Sequence, residues 1–205
     1  MSRIRHVVYD SLKKEDFMQP DLHRYIVAAW WTVGIVWLFG AFTTKRTVRS
    51  QPAGDRVVYV ALIVLACLFF QRFRIGMLAW RFVPDSAAVS YAGLALTIAG
   101  CAFTISARFY LGNNWSGRPT IKKGHTLVRS GPYGVVRHPI YSGIVLAMLG
   151  TAIYMGEIRA LIGTLIALIG FKVKSRLEES FMTEHFGTEY ANYKQHVKSL
   201  VPFVW

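Results

Sequence analysis

Residues 87–107 read AAVSYAGLALTIAGCAFTISA, an apolar run with no charged side chain. One helical crossing of a bilayer takes about 20 such residues. Its small residues, Gly93, Gly100 and Ser106, favour close approach of a neighbouring helix. Upstream, Tyr25 to Thr43 (YIVAAWWTVGIVWLFGAFT) is equally free of charge and carries Trp30, Trp31 and Trp37, residues that suit either an interfacial anchor or packing. Val57 to Phe70 is shorter and ends at Gln71, Arg72 and Arg74. We read it as a span whose arginines snorkel to the interface. Downstream, Ile140 to Met155 and Ala160 to Phe171 are joined by only residues 156–159. This spacing predicts a tight helical hairpin whose second helix is extended by polar residues. Gly143 and Gly150, then Gly163 and Gly170, repeat every seven residues, which puts small residues on one face of each helix. Glycine is also simply common in membrane helices.

The whole chain agrees with these runs. Of 205 residues 53% are hydrophobic and 17% charged, with a formal net charge of +13. So apolar a chain is not disordered, and a soluble nucleic-acid binder would not concentrate its apolar residues in long uncharged runs. Cys67 and Cys101 both lie inside apolar runs; they read as small core residues, not as a disulfide framework or a zinc site. Residues 1–24 mix both signs of charge, and no apolar segment follows a short basic start, so no cleavable signal is expected. The expected fold is all-α: an integral membrane helical bundle of about five transmembrane helices, the last two forming the hairpin. An amphipathic C-terminal helical segment follows, broken at Gly187, with no β-sheet of note. Two regions follow, residues 1–107 with the N-terminal segment and first three spans, and 108–205 with the hairpin and the polar segments. With five spans, the larger share of lysine and arginine falls on the side holding loops 44–56 and 108–139 and the tail. The positive-inside rule puts that side in the cytoplasm and the N-terminus outside.

The chemistry belongs where ionisable residues border membrane segments, since they are costly there without a role. The loop LGNNWSGRPTIKKGHTLVRSGPYGVVRHPIYSG offers His125, Tyr133, Arg137, His138 and Tyr141 as donors, acceptors and aromatic faces. Pro139 suits the first turn of a helix, which aims Arg137 and His138 at a helix N-terminus, a receptor for carboxylate or phosphate. The tail offers Lys174, Arg176, Glu178 and Glu179. Lys174 and Glu178 are four apart and share a helix face, so an ordinary solvated ion pair is the plain reading. No metal site is expected, because His125 and His138 lack cysteine or paired carboxylate partners at ligand spacing. Neither a nucleophile elbow around Ser142 nor a dinucleotide-binding glycine motif is present.

HTLVRSGPYGVVRHPIYSG, an EE pair and FGTEYANYKQHV, in that order, resemble the isoprenylcysteine carboxyl methyltransferase family over roughly residues 108–205. The family consists of membrane enzymes that use S-adenosylmethionine, within a wider group containing phospholipid N-methyltransferases and some membrane reductases. The resemblance implies that His125, Thr126, Leu127 and Val128 contact S-adenosylmethionine, with the backbone of Leu127 and Val128 reading the adenine edge. Tyr133 matches another cofactor contact. His138, Pro139, Ile140 and Tyr141 match the segment holding the methionine and ribose, and Glu178 matches a glutamate beside the cofactor. Four residues before that glutamate the family carries an arginine that meets the acceptor carboxylate; here the position is Lys174, which cannot make the bidentate fork. Arg137 or Arg176 then becomes the alternative acceptor contact.

Methyl transfer from a sulfonium to an anion neutralises charge, so a dry site favours it, and a carboxylate acceptor needs no general base at pH 7. Catalysis is then chiefly alignment. An amine acceptor would need deprotonation, by Glu178 or His138. The leading expectation is methyl-ester formation on a lipophilic, prenylcysteine-type carboxylate that enters from the bilayer, with S-adenosylhomocysteine as the second product. Its competitors are phospholipid amine N-methylation, a nicotinamide-dependent membrane reductase and a non-catalytic membrane binding protein. Expected partners are membrane lipids and the lipidated acceptor, not nucleic acid.

Overall fold

The computed structural model describes residues 21–41, 47–50, 54–71, 76–112, 115, 120–122 and 126–202. Seven helices account for most of them: α1 (Leu22–Ala41), α2 (Val57–Phe69), α3 (Ala87–Leu111), α4 (Pro132–Val135), α5 (Pro139–Met155), α6 (Ile158–Phe186) and α7 (Thr188–His196). Each apolar run in the sequence has become a helix. The polar stretch after Phe171 continues α6 for another four turns without a break. Gly187, at φ 53°, stops α6 and starts α7, a left-handed conformation that costs glycine nothing. By length and composition α1 and α3 can cross a membrane, and α2 and α5 are shorter apolar helices. One feature departs from the expected purely helical fold. Thr47–Ser50 (β1) pairs antiparallel with Thr120–Lys122 (β2), a two-stranded ribbon that ties the loop after α1 to the loop after α3.

The helices form two layers. In one, α3 packs most extensively against α5 and also supports α1; in the other, α2 lies on α6, and the α5–α6 hairpin joins the layers. Glycine decides the closeness of both seams. A Cβ on Gly100 would collide with the backbone of Ala147, and one on Gly143 with Thr104. A Cβ on Gly163 would meet the Ala66 carbonyl at 2.9 Å. The seven-residue glycine pairs therefore serve different neighbours, α5's facing α3 and α6's facing α2. Polar contacts tie the first layer together: Trp30 Nε1 of α1 donates to Thr151 Oγ1 of α5 (3.1 Å), which also meets Thr97 Oγ1 of α3 (3.3 Å).

The contacts also fix which helix ends lie together. Arg108 at the end of α3 donates to the Gly40 carbonyl at the end of α1. Lys174 in α6 lies over the ring of Tyr59 near the start of α2, and Thr104 reaches the carbonyl of Ile140 at the start of α5. These ends, with the polar half of α6 and α7, make one pole of the molecule. At the other pole Arg159 donates to the carbonyls of Phe69 and Gln71, and Ile158 N donates to Trp80 O.

Candidate active site

At the first pole the chain crosses itself. Residues 198–199 run beside 136–138, with Arg137 N donating to Lys198 O (2.8 Å) and His138 N to Ser199 O (3.0 Å). Ser142 Oγ donates to the Leu200 carbonyl, and Leu200 is itself buried in the core. The tail thus straps the start of α5, where His138 is the residue preceding the first turn and Pro139 occupies it. Proline loses nothing there because its absent N–H would have no helical partner.

Two consecutive glutamates of α6 face this strap. Glu178 accepts from Tyr141 OH (2.6 Å), and its second oxygen lies 3.4 Å from His138 Nδ1. Glu179 gathers Arg137 through Nε (3.0 Å) and Nη2 (2.7 Å), His138 Nε2 (3.1 Å), Ser199 Oγ (3.3 Å) and Lys194 Nζ (3.1 Å). His138 is therefore held between two carboxylates by both ring nitrogens. Burial opposes a charge on each of these groups, and their mutual contacts prevail. Burial alone would raise the Glu178 carboxyl, but His138, Lys174 and Tyr141 hold it below its ordinary value. Glu179 is lowered further against its own burial by His138 and Arg137. His138 is disfavoured as a cation by burial, yet the two glutamates raise it above 6.5. Aromatic faces complete the wall: Tyr141 stacks on His138 (5.6 Å) and Phe171 (4.9 Å), and Lys174 Nζ lies 5.0 Å from the Tyr141 ring centre.

The structure brings together Tyr133, His138, Pro139, Ile140, Tyr141, Lys174 and Glu178, most of the expected site. Thr126, Leu127 and Val128 lie in an irregular segment leading to Tyr133, with Leu127 and Val128 half-buried. His125 lies outside the described residues. Two expectations change. Lys174 and Glu178 are not a solvated surface pair: Lys174 is 9% exposed, sandwiched against Tyr59 and Tyr141. Arg137 has its guanidinium engaged by Glu179 and by the Lys194 and Val197 carbonyls, so it clasps the tail and does not stand ready for an acceptor. Arg176, the other proposed substitute, is exposed. Sequence reasoning missed Glu179 as the hub, together with Lys194 and Ser199. The EE pair was its one local signal, since the partners arrive from far along the chain.

The residues fit an adenosyl sulfonium. No hydrogen bond engages the backbone groups of Leu127 or Val128 among the described residues, leaving a donor–acceptor edge on a half-buried segment of the kind an adenine needs. A half-buried, ionised Glu178 beside aromatic rings complements an ammonium or sulfonium cation. Among the described residues no cluster of ligating side chains could hold a metal ion.

A family model for phospholipid methyltransferases matches residues 89–189. A probable protein-S-isoprenylcysteine O-methyltransferase of Oryza sativa subsp. indica is 32% identical over 119 residues, 57% of this chain and 62% of the relative. The Rattus norvegicus protein-S-isoprenylcysteine O-methyltransferase is 30% identical over 135 residues, 64% of this chain and 48% of the relative. Among solved structures, a eukaryotic intramembrane Ras methyltransferase, an isoprenylcysteine carboxyl methyltransferase, superposes with a TM-score of 0.53 at 26% identity. That match covers 73% of this chain and 51% of the other. The chain thus spans between about half and three fifths of the length of these relatives.

Proposed function

We propose that the chain belongs to the isoprenylcysteine carboxyl methyltransferase family of membrane proteins and is an S-adenosylmethionine-dependent methyltransferase acting on a prenylcysteine-type carboxylate. The observation that carries the reading is Glu178, a half-buried carboxylate held ionised by His138, Lys174 and Tyr141 inside the family's R-H-P-x-Y and E-E segments. When bound, S-adenosylmethionine supplies an electrophilic methyl group on a sulfonium. The chain's part is to bind and orient. His125, Thr126, Leu127, Val128 and Tyr133 take the adenosine end, while His138, Pro139, Ile140, Tyr141 and Glu178 take the amino-acid end. Glu178 and the Tyr141 face favour the cation, and the dry surroundings raise the worth of each charge. Lys174, set over Tyr141 one turn from Glu178, is the cation placed to draw an acceptor carboxylate toward the methyl group; Arg137 acts through Glu179 by holding the strap closed.

We further propose that α1, α2, α3, α5 and the apolar half of α6 cross the membrane, with the site pole in the cytoplasm. A water-soluble cofactor then enters from one phase and a lipophilic acceptor from the other. Phospholipid amine methylation is the second reading, favoured by the family model over residues 89–189 and by a lysine where the family carries the carboxylate-binding arginine. Incubation of the purified chain with radiolabelled S-adenosylmethionine and S-farnesylcysteine or phosphatidylethanolamine separates the two. Base-labile label on the thioether is the expected ester; base-stable label on the lipid overturns it in favour of the amine, and no transfer to either overturns both.

A further inference from the structure

A carboxylate has two oxygens, and Lys174 answers them with a single ammonium that also helps hold Glu178 ionised. A lysine is a point charge and cannot fork across both oxygens. Neither arginine expected beside it supplies the fork, since Arg137 is clasped by Glu179 and Arg176 is exposed. Another guanidinium reaches this pole from α2. Gly170 lets α2 lie close on α6 one turn before Lys174: a Cβ there would press on Leu62 at 3.2 Å and meet the Tyr59 carbonyl at 3.6 Å. Tyr59, 4% exposed, thereby sets its ring 5.6 Å from Lys174 Nζ, while the Tyr141 ring lies at 5.0 Å. Arg56 precedes Tyr59 by three residues and has helical backbone angles (φ −87°, ψ −22°). Residues so spaced share a helix face, about 5–6 Å apart. The Tyr59 hydroxyl is within electrostatic reach of both Arg56 and Glu178. Arg56 is half-buried with its Nε wholly covered, so its side chain lies against protein. It does not cap α2, and the positive end of a helix disfavours a cation. Helix stability therefore does not account for an arginine here.

We propose that Arg56 takes the acceptor's carboxylate together with Lys174, and that Tyr59 is the positioning residue that fixes where the lysine points. The proposal rests on the methyl-transfer reading for its acceptor. An ammonium against aromatic faces is held by their quadrupoles, which restrains an otherwise flexible four-carbon stem. The guanidinium adds a planar pair of donors that meets both oxygens. Because the two cations come from different helices, the bound carboxylate bridges α2 and α6. Methylation then turns that carboxylate into a neutral ester, and the charge-assisted bonds to both helices are lost. The arrangement thus prefers the substrate acid to the product ester, which favours release once the methyl group has moved.

Acceptor binding can be read without turnover. The full chain in lipid nanodiscs is saturated with S-adenosylhomocysteine and titrated calorimetrically with N-acetyl-S-farnesylcysteine or with its methyl ester. The native chain should bind the acid at least about tenfold more tightly than the ester, the scale of one charge-assisted hydrogen bond. Arg56→Gln should weaken the acid several-fold and leave the affinities for the ester and for S-adenosylhomocysteine unchanged. Arg56→Lys, which keeps the charge without the fork, should fall between the two. Tyr59→Leu should weaken the acid as well, whereas Tyr59→Phe, which keeps the ring, should not. In initial rates, Arg56→Gln should raise KM for the acid more than it lowers kcat. A native acid preference that survives Arg56→Gln overturns the role of Arg56 and leaves the carboxylate reading standing. Equal weakening of acid and ester makes Arg56 a structural residue and overturns the proposal. Should Arg56→Gln no longer bind S-adenosylhomocysteine, Arg56→Lys decides alone, and an undiminished acid preference in it overturns the fork. Tyr59→Leu and Tyr59→Phe behaving alike overturns the positioning by Tyr59. A native chain with no preference for the acid overturns the carboxylate acceptor itself, and the proposal with it.

Discussion

Glu178 shows how a single residue's role depends on its surroundings. A carboxylate four residues from a lysine on a helix is ordinarily a surface pair worth little. Here Lys174 is buried and Glu178 half-buried, and the hydroxyl of Tyr141 and the ring of His138 complete the carboxylate's partners. Glu178→Gln should therefore weaken S-adenosylmethionine binding by about 1.5–3 kcal/mol, the scale of a hydrogen bond to a charged group, read by calorimetry with the fold checked by circular dichroism. Unchanged affinity would remove Glu178 from the cofactor site. Lys174→Arg restores the family's fork and should keep or raise activity on a carboxylate acceptor; lost turnover in a folded protein would point to a different acceptor. The His138–Glu178–Glu179 cluster also has a pH signature. His138 is raised above 6.5, so its stabilisation is complete below that pH and is lost as pH rises through the folded value. Glu178 and Glu179 are lowered below 4.5, so theirs is complete above that pH and is lost as pH falls through the depressed values. Thermal stability should be greatest between these limits and decline toward alkali, and His138→Gln should flatten the alkaline decline in a pH series of melting curves.

Among the elements, the α3–α5 seam bears the closest packing. Gly93 and Gly100 meet Gly143, Ala147 and Gly150 with backbone against backbone, an arrangement only small residues allow. Gly100→Ala should destabilise the protein by at least the 1–3 kcal/mol typical of overpacking, because the obstructing atoms are backbone and cannot swing aside. Gly34→Ala, whose new methyl group would meet nothing within 4 Å, is the matched control and should cost nothing in the same melting experiment. The tail strap is the second such element. Its hold on residues 136–138 is made of backbone hydrogen bonds and the Glu179 hub, so Glu179→Gln should loosen the tail and expose Leu200, seen as faster hydrogen exchange over residues 194–200.

For the whole molecule, the decisive feature is polarity from pole to pole. From Ala87 to Gly156 the sequence holds no acidic residue, so the charges that compensate His138 and Arg137 come from α6, far along the chain. The site pole concentrates the ionised cluster and the opposite pole is stitched by Arg159 and Glu157, with apolar helices between. Five crossings would place the two chain ends on opposite sides of the bilayer. Cysteine-accessibility mapping in a Cys67→Ala, Cys101→Ala background, with single cysteines near residues 5 and 204, should label the two ends from opposite faces; labelling from one face would overturn the odd count.

Much of this was legible in the residues themselves. Long uncharged runs bounded by charge are helices in any environment that hides them from water, so the helical class, the hairpin and the break at Gly187 followed from local composition. The site's segments, RHPIY and EE, were equally visible, because their residue types and order survive without knowledge of their contacts. What remained hidden was long-range. That Glu179 would pair with Arg137, that Lys194 and Ser199 would return to it, and that Cys67 would be exposed and not a core residue depend on how two layers meet. The β1–β2 ribbon is of the same kind, since neither short strand carries a pattern of its own. Helix formation is set by neighbours three and four residues away, whereas buried charge is settled by whichever partner the fold delivers across tens of residues; the first can be read along the chain, and the second exists only once the chain has folded.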